Sequence, residues 1–425
     1  TYGDLVVSDF DSQGTHLKST WVDGVPENAP VVASPAGPRG GVAEPGPDVG
    51  KYADLAARAD GTLYVAYYDQ TNGDLRFVER GADGAWKSRH AIDGADADLG
   101  LFASVALDDQ GRPAIAYFQR SAAESSSGGC AAAPGAPKSL LTALKVARAK
   151  GEHPSSAGDW TVETVACAAR PEPACFGCST PGGATACVVD ETSASGTRCE
   201  IPASGCSGCA STEICVAGGV CAAKGNPSQL DGLPVGVGLF PSLAFKDGAP
   251  VVAWYDAIAG NLVASAKVGS SWTRQILDGE EGGVDTGDVG LFPSLAIDAG
   301  GNYAIAYHDA TRRGLRYYSG PTLTALAGQK SPGPELFVDK GLSDPMLDGP
   351  SFVGADAALL FSGAEAFVAY QNSTASDLRL ARKSATGWTV AKEWTEGAVG
   401  FYADATVLGG KLFVVHARIK AKVVD

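Results

Sequence analysis

Short apolar runs separated by turns rich in Gly, Asn and Asp fill the chain, and the runs recur in a fixed order. Each copy opens with a strand that follows a Gly: "VGKYADLAA" from Val49, "LGLFASVAL" from Leu99, "VGLFPSLAF" from Val237, "VGLFPSLAI" from Val289, "VGADAALLF" from Val353 and "VGFYADATV" from Val399. A turn leads to a second strand, "LYVAYYD" in the first copy and "YAIAYHD" in the fourth. A third strand ("LRFVER", "LRYYSG") and a fourth built on Trp ("SWTRQILDG", "GWTVAKEW") complete the unit. Apolar runs of this length, bounded by turn residues, predict strands rather than helices. Asn-Gly in "QTNGD" is favoured two-residue hairpin chemistry.

Setting aside one insertion of about 90 residues, the period is about 50 residues, the signature of a solenoid or a propeller. The sixth copy decides between them. It starts at Val399 and runs for two strands, while "DLVVSDF" (from Asp4) and "HLKSTWVDG" (from His16) at the other end match strands three and four. The expected fold is therefore all-β: a six-bladed β-propeller closed by pairing the N-terminal strands with the C-terminal blade, plus a disulfide-rich insertion. Residues 1–24 would complete the last blade, and 25–48 form a Pro/Gly-rich linker. Residues 49–168 would hold blades one and two with a hairpin insertion, and 169–225 the cysteine-rich module. Blades three to five would occupy 226–398, and 399–425 the first two strands of the last blade.

Composition agrees with a turn-rich β chain: 55 Gly and 24 Pro in 425 residues. No apolar run is long enough to span a bilayer. A net charge of −15 repels phosphate backbones and anionic membranes, which sets nucleic acid aside as a partner. All ten cysteines lie between Cys130 and Cys221: Cys130, Cys167, Cys175, Cys178, Cys187, Cys199, Cys206, Cys209, Cys215 and Cys221. Two CxxC pairs raise zinc as one reading. The even count and the lack of His in the cluster favour disulfides, and with them an oxidising compartment, so a secreted or cell-surface protein is expected. Cys130 and Cys167 bracket one stretch and form a candidate pair, while the remaining connectivity stays open.

In a propeller, the ends of the second strands collect on one face. Here they are Asp69, Gln119, Asp256, Asp309, Asn372 and Arg418, joined by Asp48, Asp98 and Asp288 just before the Gly motif. One reading makes each Asp the cap of its own hairpin turn. The other makes the face an acidic bowl for a polar ligand or for Ca²⁺, with Asp48, Asp98 and Asp288 as metal candidates. His308 and His416 break the pattern and join the ligand-binding candidates. Asp54, Ser104, Ser242, Ser294, Ala358 and Asp404 fall at the position expected to line the channel. No GxSxG, HExxH or Walker motif is present.

The repeat "VGLFPSLA…IAYYD…NGDLR…W" resembles the bacterial secreted propeller repeats grouped with BNR and sialidase-like blades. That resemblance implies a propeller, and in sialidases an Asp-box, three arginines around a carboxylate, and a Tyr/Glu pair. "RGADGAW" keeps only Asp, Gly and Trp of the box, and Arg418 is the one Arg on the candidate face. A second likeness, to six-bladed fucose lectins, implies sugar binding by Arg, Glu and Trp, for which Arg76, Glu79 and Trp86 are similarly placed. The leading expectation is an extracellular binding, adhesion or structural module that recognises a glycan or surface protein. The alternatives are a carbohydrate-active hydrolase or lyase using face carboxylates, and a self-assembling surface subunit.

Overall fold

The computed structural model describes residues 3–24, 46–94, 98–122, 130, 139–171, 186–189, 197–206, 209–210, 213–223, 236–330, 336–341 and 351–419. Regular structure among them is β, apart from one 3₁₀ turn at Ala157–Asp159. The fold is β-propeller-like: five four-stranded sheets, each with its strands neighbouring in chain order. The first comprises Val49–Ala57, Leu63–Asp69, Asp74–Arg80 and His90–Asp93; the second Asp98–Leu107, Pro113–Ala122, Ser139–Ala149 and Trp160–Pro171. The third comprises Val237–Lys246, Ala249–Asp256, Asn261–Val268 and Ser271–Asp278; the fourth Val289–Ile297, Tyr303–Asp309, Gly314–Gly320 and Phe337–Asp339. The fifth comprises Val353–Ser362, Glu365–Asn372, Asp377–Ser384 and Gly387–Trp394.

Two terminal hairpins, Leu5–Phe10 with His16–Asp23 and Ala398–Leu408 with Lys411–Ile419, form separate two-stranded sheets. The Lys411 Nζ links them by donating to Ser12 O (3.3 Å) and Gln13 Oε1 (3.0 Å).

The chain divides into two compact units. One contains Thr1–Gln119, Ala143–Cys167 and Val237–Asp425; the other contains Arg120–Thr142 and Ala168–Gly236. Within the second, disulfides join Cys206 to Cys215 and Cys209 to Cys221. They tie a two-residue-spaced pair of cysteines onto both strands of the hairpin Glu213–Val216/Val220–Ala223, where Cys215 faces Cys221 in register. Cys187 faces Cys199 in a further hairpin. Cys130 and, in the first unit, Cys167 are each disulfide-bonded, and no described cysteine is free. Cys175 and Cys178 lie outside the described residues.

Each inner strand bends through two bulges in quick succession. Val49 pairs with Asp69, Lys51 with Tyr68 and Asp54 with Ala66, so Gly50 and then one of Tyr52/Ala53 are surplus. The third, fourth and fifth sheets repeat this register. The Gly is there because the next sheet's inner strand passes over the third strand of the sheet before. A Cβ on Gly290 would sit 2.5 Å from Leu262 Cα, and one on Gly50 2.8 Å from Leu5 Cα. The cores lie between neighbouring sheets, as where Phe77 meets Trp160 edge-on at 5.0 Å. Gly290→Ala, at φ +101° against backbone, is expected to cost about 3 kcal/mol. Gly301→Ala, at φ +76° with open space around it, should cost about 1 kcal/mol. Thermal midpoints of the two variants measure the difference.

Candidate functional site

Four of the second strands end in a buried carboxyl or amide group committed to its own turn. The Asp69 Oδ1 accepts from Asn72 N (3.1 Å), Asp256 Oδ1 from Ile258 N (3.0 Å), Asp309 Oδ1 from Arg312 N (2.8 Å), and Asn372 Oδ1 from Ala375 N (3.3 Å). Guanidinium groups take the other oxygens: Arg76 on Asp69 (3.3 Å), Arg274 on Asp256 (2.6 Å) and Arg312 on Asp309 (3.2 Å). These four side chains cap hairpins, the chemistry that Asx turns require. Arg418 pairs with Glu396 at 3.3 Å in an exposed position.

Asp48, Asp98 and Asp288 do not converge. Asp98 accepts from Tyr68 OH (2.5 Å) and Asp288 from Tyr255 OH (2.7 Å). Asp48 accepts from Gly3 N (2.9 Å) and pairs with Lys51 (3.2 Å). Among the described residues, the one trio of His, Cys, Asp or Glu groups close enough to share a metal is Cys206, Cys209 and Cys221. Their sulfurs are used in disulfides.

His308 stands where sister sheets have Tyr68 and Tyr255, and Phe352 stands where they have Asp98 and Asp288. A Tyr–Asp hydrogen bond has become a ring contact of 4.5 Å. The buried His308 donates from Nδ1 to Val353 O at 2.8 Å, and burial holds its pKa below the ordinary value. In the next sheet Gln371 Nε2 donates to Val399 O (3.2 Å) at the same place. His308 is thus a junction residue. The half-buried His416 accepts from Gly400 N at 3.3 Å.

The channel-position residues fasten inner strands together. Asp54 Oδ2 accepts from Val105 N (2.7 Å), Ser104 Oγ from Leu243 N (3.1 Å), Ser242 Oγ from Leu295 N (2.9 Å), and Ser294 Oγ from Leu359 N (2.9 Å). Ala358 has no such group, and Asp356 takes over by accepting from Tyr402 N at 2.9 Å. Asp404 accepts from its neighbour Ala405 N (2.7 Å). These bonds satisfy N–H groups that no strand pairs with.

Two concave or aromatic features remain that the sequence pattern did not single out. At the start of the inner strands, Tyr52, Phe102, Phe240, Phe292, Asp356 and Tyr402 all have φ between 48° and 55°. On the first sheet a groove of about 870 Å³ opens where residues 81–89 leave the outer strand. Glu79, Trp86, Lys87, Ser88, His153 and Ser155 line it. The His153 Nδ1 lies 2.9 Å from the Glu79 carboxylate; the acid is 5% exposed and the imidazole 60%. Their loop is anchored by Tyr64 OH donating to Glu152 O (2.7 Å), by an Arg58–Glu152 ion pair, and by Asp159 accepting from Ser155 N and Ser156 N. Glu79 sits where sister third strands carry Ala266, Ser319 and Arg382. The hairpin turn that bears His153 differs in length from its counterparts, which are short at Val268–Ser271 and longer at Gly320–Phe337. A long-range pair between two unique positions leaves no periodic signal.

No family model matches the chain, and no curated protein matches it. Among solved structures it is similar to a protein of unknown function from Dyadobacter fermentans: 11% identity over 87% of this chain and 90% of that chain, TM-score 0.46. It is also similar to the Trypanosoma rangeli sialidase in complex with sialic acid: 11% identity over 99% of this chain and 56% of that chain, TM-score 0.43. A third is the alpha-L-arabinofuranosidase from Lactobacillus brevis: 12% identity over 76% of this chain and 84% of that chain, TM-score 0.32. The chain spans just over half of the sialidase.

Burial pushes the Asp54 carboxyl up to about 7, and the charge of Asp404 adds to the shift. Unfolded, it ionises near 3.8, so the folded state holds the extra proton between these values. The stability that Asp54 contributes is complete below about pH 4 and is lost as pH rises through about 7. Asp54→Asn should flatten that decline. Thermal midpoints of parent and variant at about pH 5 and about pH 8 give the test, and equal slopes would refute the assignment.

Proposed function

We propose that this chain is an extracellular binding module, a closed six-bladed propeller that holds a glycan in the groove on its first blade. Closure draws support from several side-chain features. Asp23 of the N-terminal hairpin meets Tyr67 and Arg76 as the outer-strand Asp of other sheets meets its neighbour. Leu5 lies under Gly50 as Leu262 lies under Gly290. Asp54, on the first inner strand, feels the charge of Asp404 on the last. Disulfides place the chain in an oxidising compartment, which agrees with secretion or surface display.

The observation that carries the glycan reading is the groove itself. An aromatic wall, a buried carboxylate, an ammonium and hydroxyls converge in a concave site, the mixture that polar ring-shaped ligands require. Trp86 supplies an apolar face, with the Arg80 guanidinium 5.6 Å from its centroid. The Glu79 carboxylate and Lys87 give directed acceptors and donors for sugar hydroxyls.

A second reading is favoured by the Glu79–His153 pair. With Nδ1 donating to the acid, Nε2 is left as a base over the groove, the geometry of a positioned general base. A carbohydrate-active enzyme would then use this groove rather than the capped carboxylates of the face.

One experiment separates the two. Calorimetric titration against a glycan panel is expected to find a ligand, with Trp86→Ala and Glu79→Gln each weakening it roughly 10- to 100-fold. Chromatography of the same mixtures after long incubation reads product. Binding without product supports the module, product that disappears with His153→Gln supports the enzyme, and no binding across the panel refutes both.

A further inference from the structure

The residue thrown off by the second bulge of each inner strand carries a chemistry separate from the blade-one groove. A left-handed backbone costs a non-glycine residue roughly 1–2 kcal/mol, and Gly would relieve it. Five of the six positions nevertheless hold an aromatic residue. The rings of Tyr52 and Phe102, Phe102 and Phe240, and Phe240 and Phe292 pack in succession, with centroids 4.4, 4.7 and 4.4 Å apart. They form an arc across the starts of four consecutive inner strands. Tyr52, at one end of the arc, is 41% exposed, and Tyr402, at the corresponding position of the last inner strand, is 79% exposed, so both present ring surface to solvent. Side chains held in strained backbone mark places where function has selected geometry.

The charge beside this arc is one-sided. At the junctions between sheets, buried and half-buried carboxylates have cations: Asp23 and Asp69 share Arg76, Asp93 has Lys145, Asp278 has Arg316, and Asp339 has Arg379. Asp356, within the arc, and Asp54 and Asp404, two residues beyond it on their strands, have no ion pair among the described residues. Their oxygens accept backbone N–H groups, which leaves their charge unbalanced. Nor do the three group closely enough to coordinate one metal ion. A cluster that converges suits Ca²⁺, whereas separated carboxylates beside ring faces suit a larger ion whose charge lies inside a shell of carbon.

We propose that the arc and these carboxylates bind an organic ammonium group, quaternary or protonated amine, at the end of the inner strands where they begin. Its alkyl groups would lie against the Tyr52 and Tyr402 rings, and its charge would be balanced by Asp356, Asp54 and Asp404. Asp404 is the charged group that Asp54 feels, so cation binding favours ionised Asp54 and tightens as pH rises through neutrality.

The test is calorimetric titration of the intact chain with choline, and with dimethylbutanol as its uncharged isostere. Choline is expected to bind at least tenfold more tightly than the isostere. Its affinity should rise between about pH 6 and about pH 8, and Asp54→Asn should reduce that rise, the remainder belonging to Asp356 and Asp404, whose carboxyls burial also pushes up. Tyr402→Ala, at an exposed side chain, should weaken choline roughly tenfold with the thermal midpoint unchanged; Tyr52→Leu gives an independent second variant if Tyr402→Ala unfolds. Equal affinities for choline and isostere would overturn the proposal, as would no binding at millimolar choline or full competition by Ca²⁺ with the Tyr variants unaffected. Since Trp86 and Glu79 play no part here, failure of glycan binding would leave this result standing, and the reverse also holds.

Discussion

Sheets whose strands do not pair are joined by single backbone bonds, such as Leu99 N to Gly73 O (2.9 Å) and Val289 N to Gly260 O (2.9 Å), and by side chains, among which a carboxylate at the end of the outer strand recurs. Tyr67 OH donates to Asp23 (2.7 Å), Tyr117 OH to Asp93 (2.8 Å), Tyr307 OH to Asp278 (2.6 Å) and Tyr370 OH to Asp339 (2.7 Å). Each carboxylate is neutralised by a cation from the third strand of the sheet that follows: Arg76, Lys145, Arg316 and Arg379. Such buried pairs contribute little net stability against an apolar junction, yet losing one partner strands a charge at a cost of several kcal/mol. Their consequence is that a sheet fits against its neighbour in one register. The stitch between inner strands, from Asp54 to Val105 N and onward, adds the same constraint at the axis.

The junction between the second and third sheets departs from this scheme, and the departure has a physical reason. The outer strand Trp160–Pro171 ends without the Asp that Asp93, Asp278 and Asp339 supply on other outer strands, and the chain continues there into the cysteine-bearing unit. The third sheet accordingly has Trp254 in place of Tyr and Val263 in place of Arg. Trp254 Nε1 donates to Ser265 Oγ within its own sheet at 3.0 Å, and the Arg274 guanidinium lies 5.1 Å from its ring. Polar groups that would have faced a missing Asp have been replaced rather than left orphaned.

Strand order, turns and the capping role open to Asp69, Asp256 and Asp309 were legible because all three follow from local spacing. The outer-strand "DG" was equally visible in "AIDG", "ILDG" and "WVDG", but its partner is a Tyr in the following copy, and a periodic pattern says nothing about which copies touch. The aromatic arc was hidden for another reason. Whether Tyr52 or Phe240 points toward the axis depends on two bulges, each of which flips the side-chain alternation, and bulges are set by pairing with the second strand. Glu79 and Trp86 were legible through the lectin likeness, whereas His153, 74 residues from Glu79, was illegible because it does not recur.

Repetition and chemistry therefore divide the molecule between them. What recurs from sheet to sheet is spent on keeping sheets together: the capped Asp, the Tyr–Asp–cation junction, the Ser stitch, and the Gly beneath which a Leu must pass. What is not copied is free of that duty. Glu79 and His153 belong to this class. So does Asp54, where serine serves other strands and could equally have accepted the same N–H; Asp404 at the same position and Asp356 two residues before it are carboxylates as well. An uncharged hydroxyl suffices for the stitch, as Ser104, Ser242 and Ser294 show. Replacing it by a carboxylate that must be desolvated raises the cost of the same bond. That excess cost needs a recipient for the charge, and the ring surface exposed at Tyr52 and Tyr402 lies beside it.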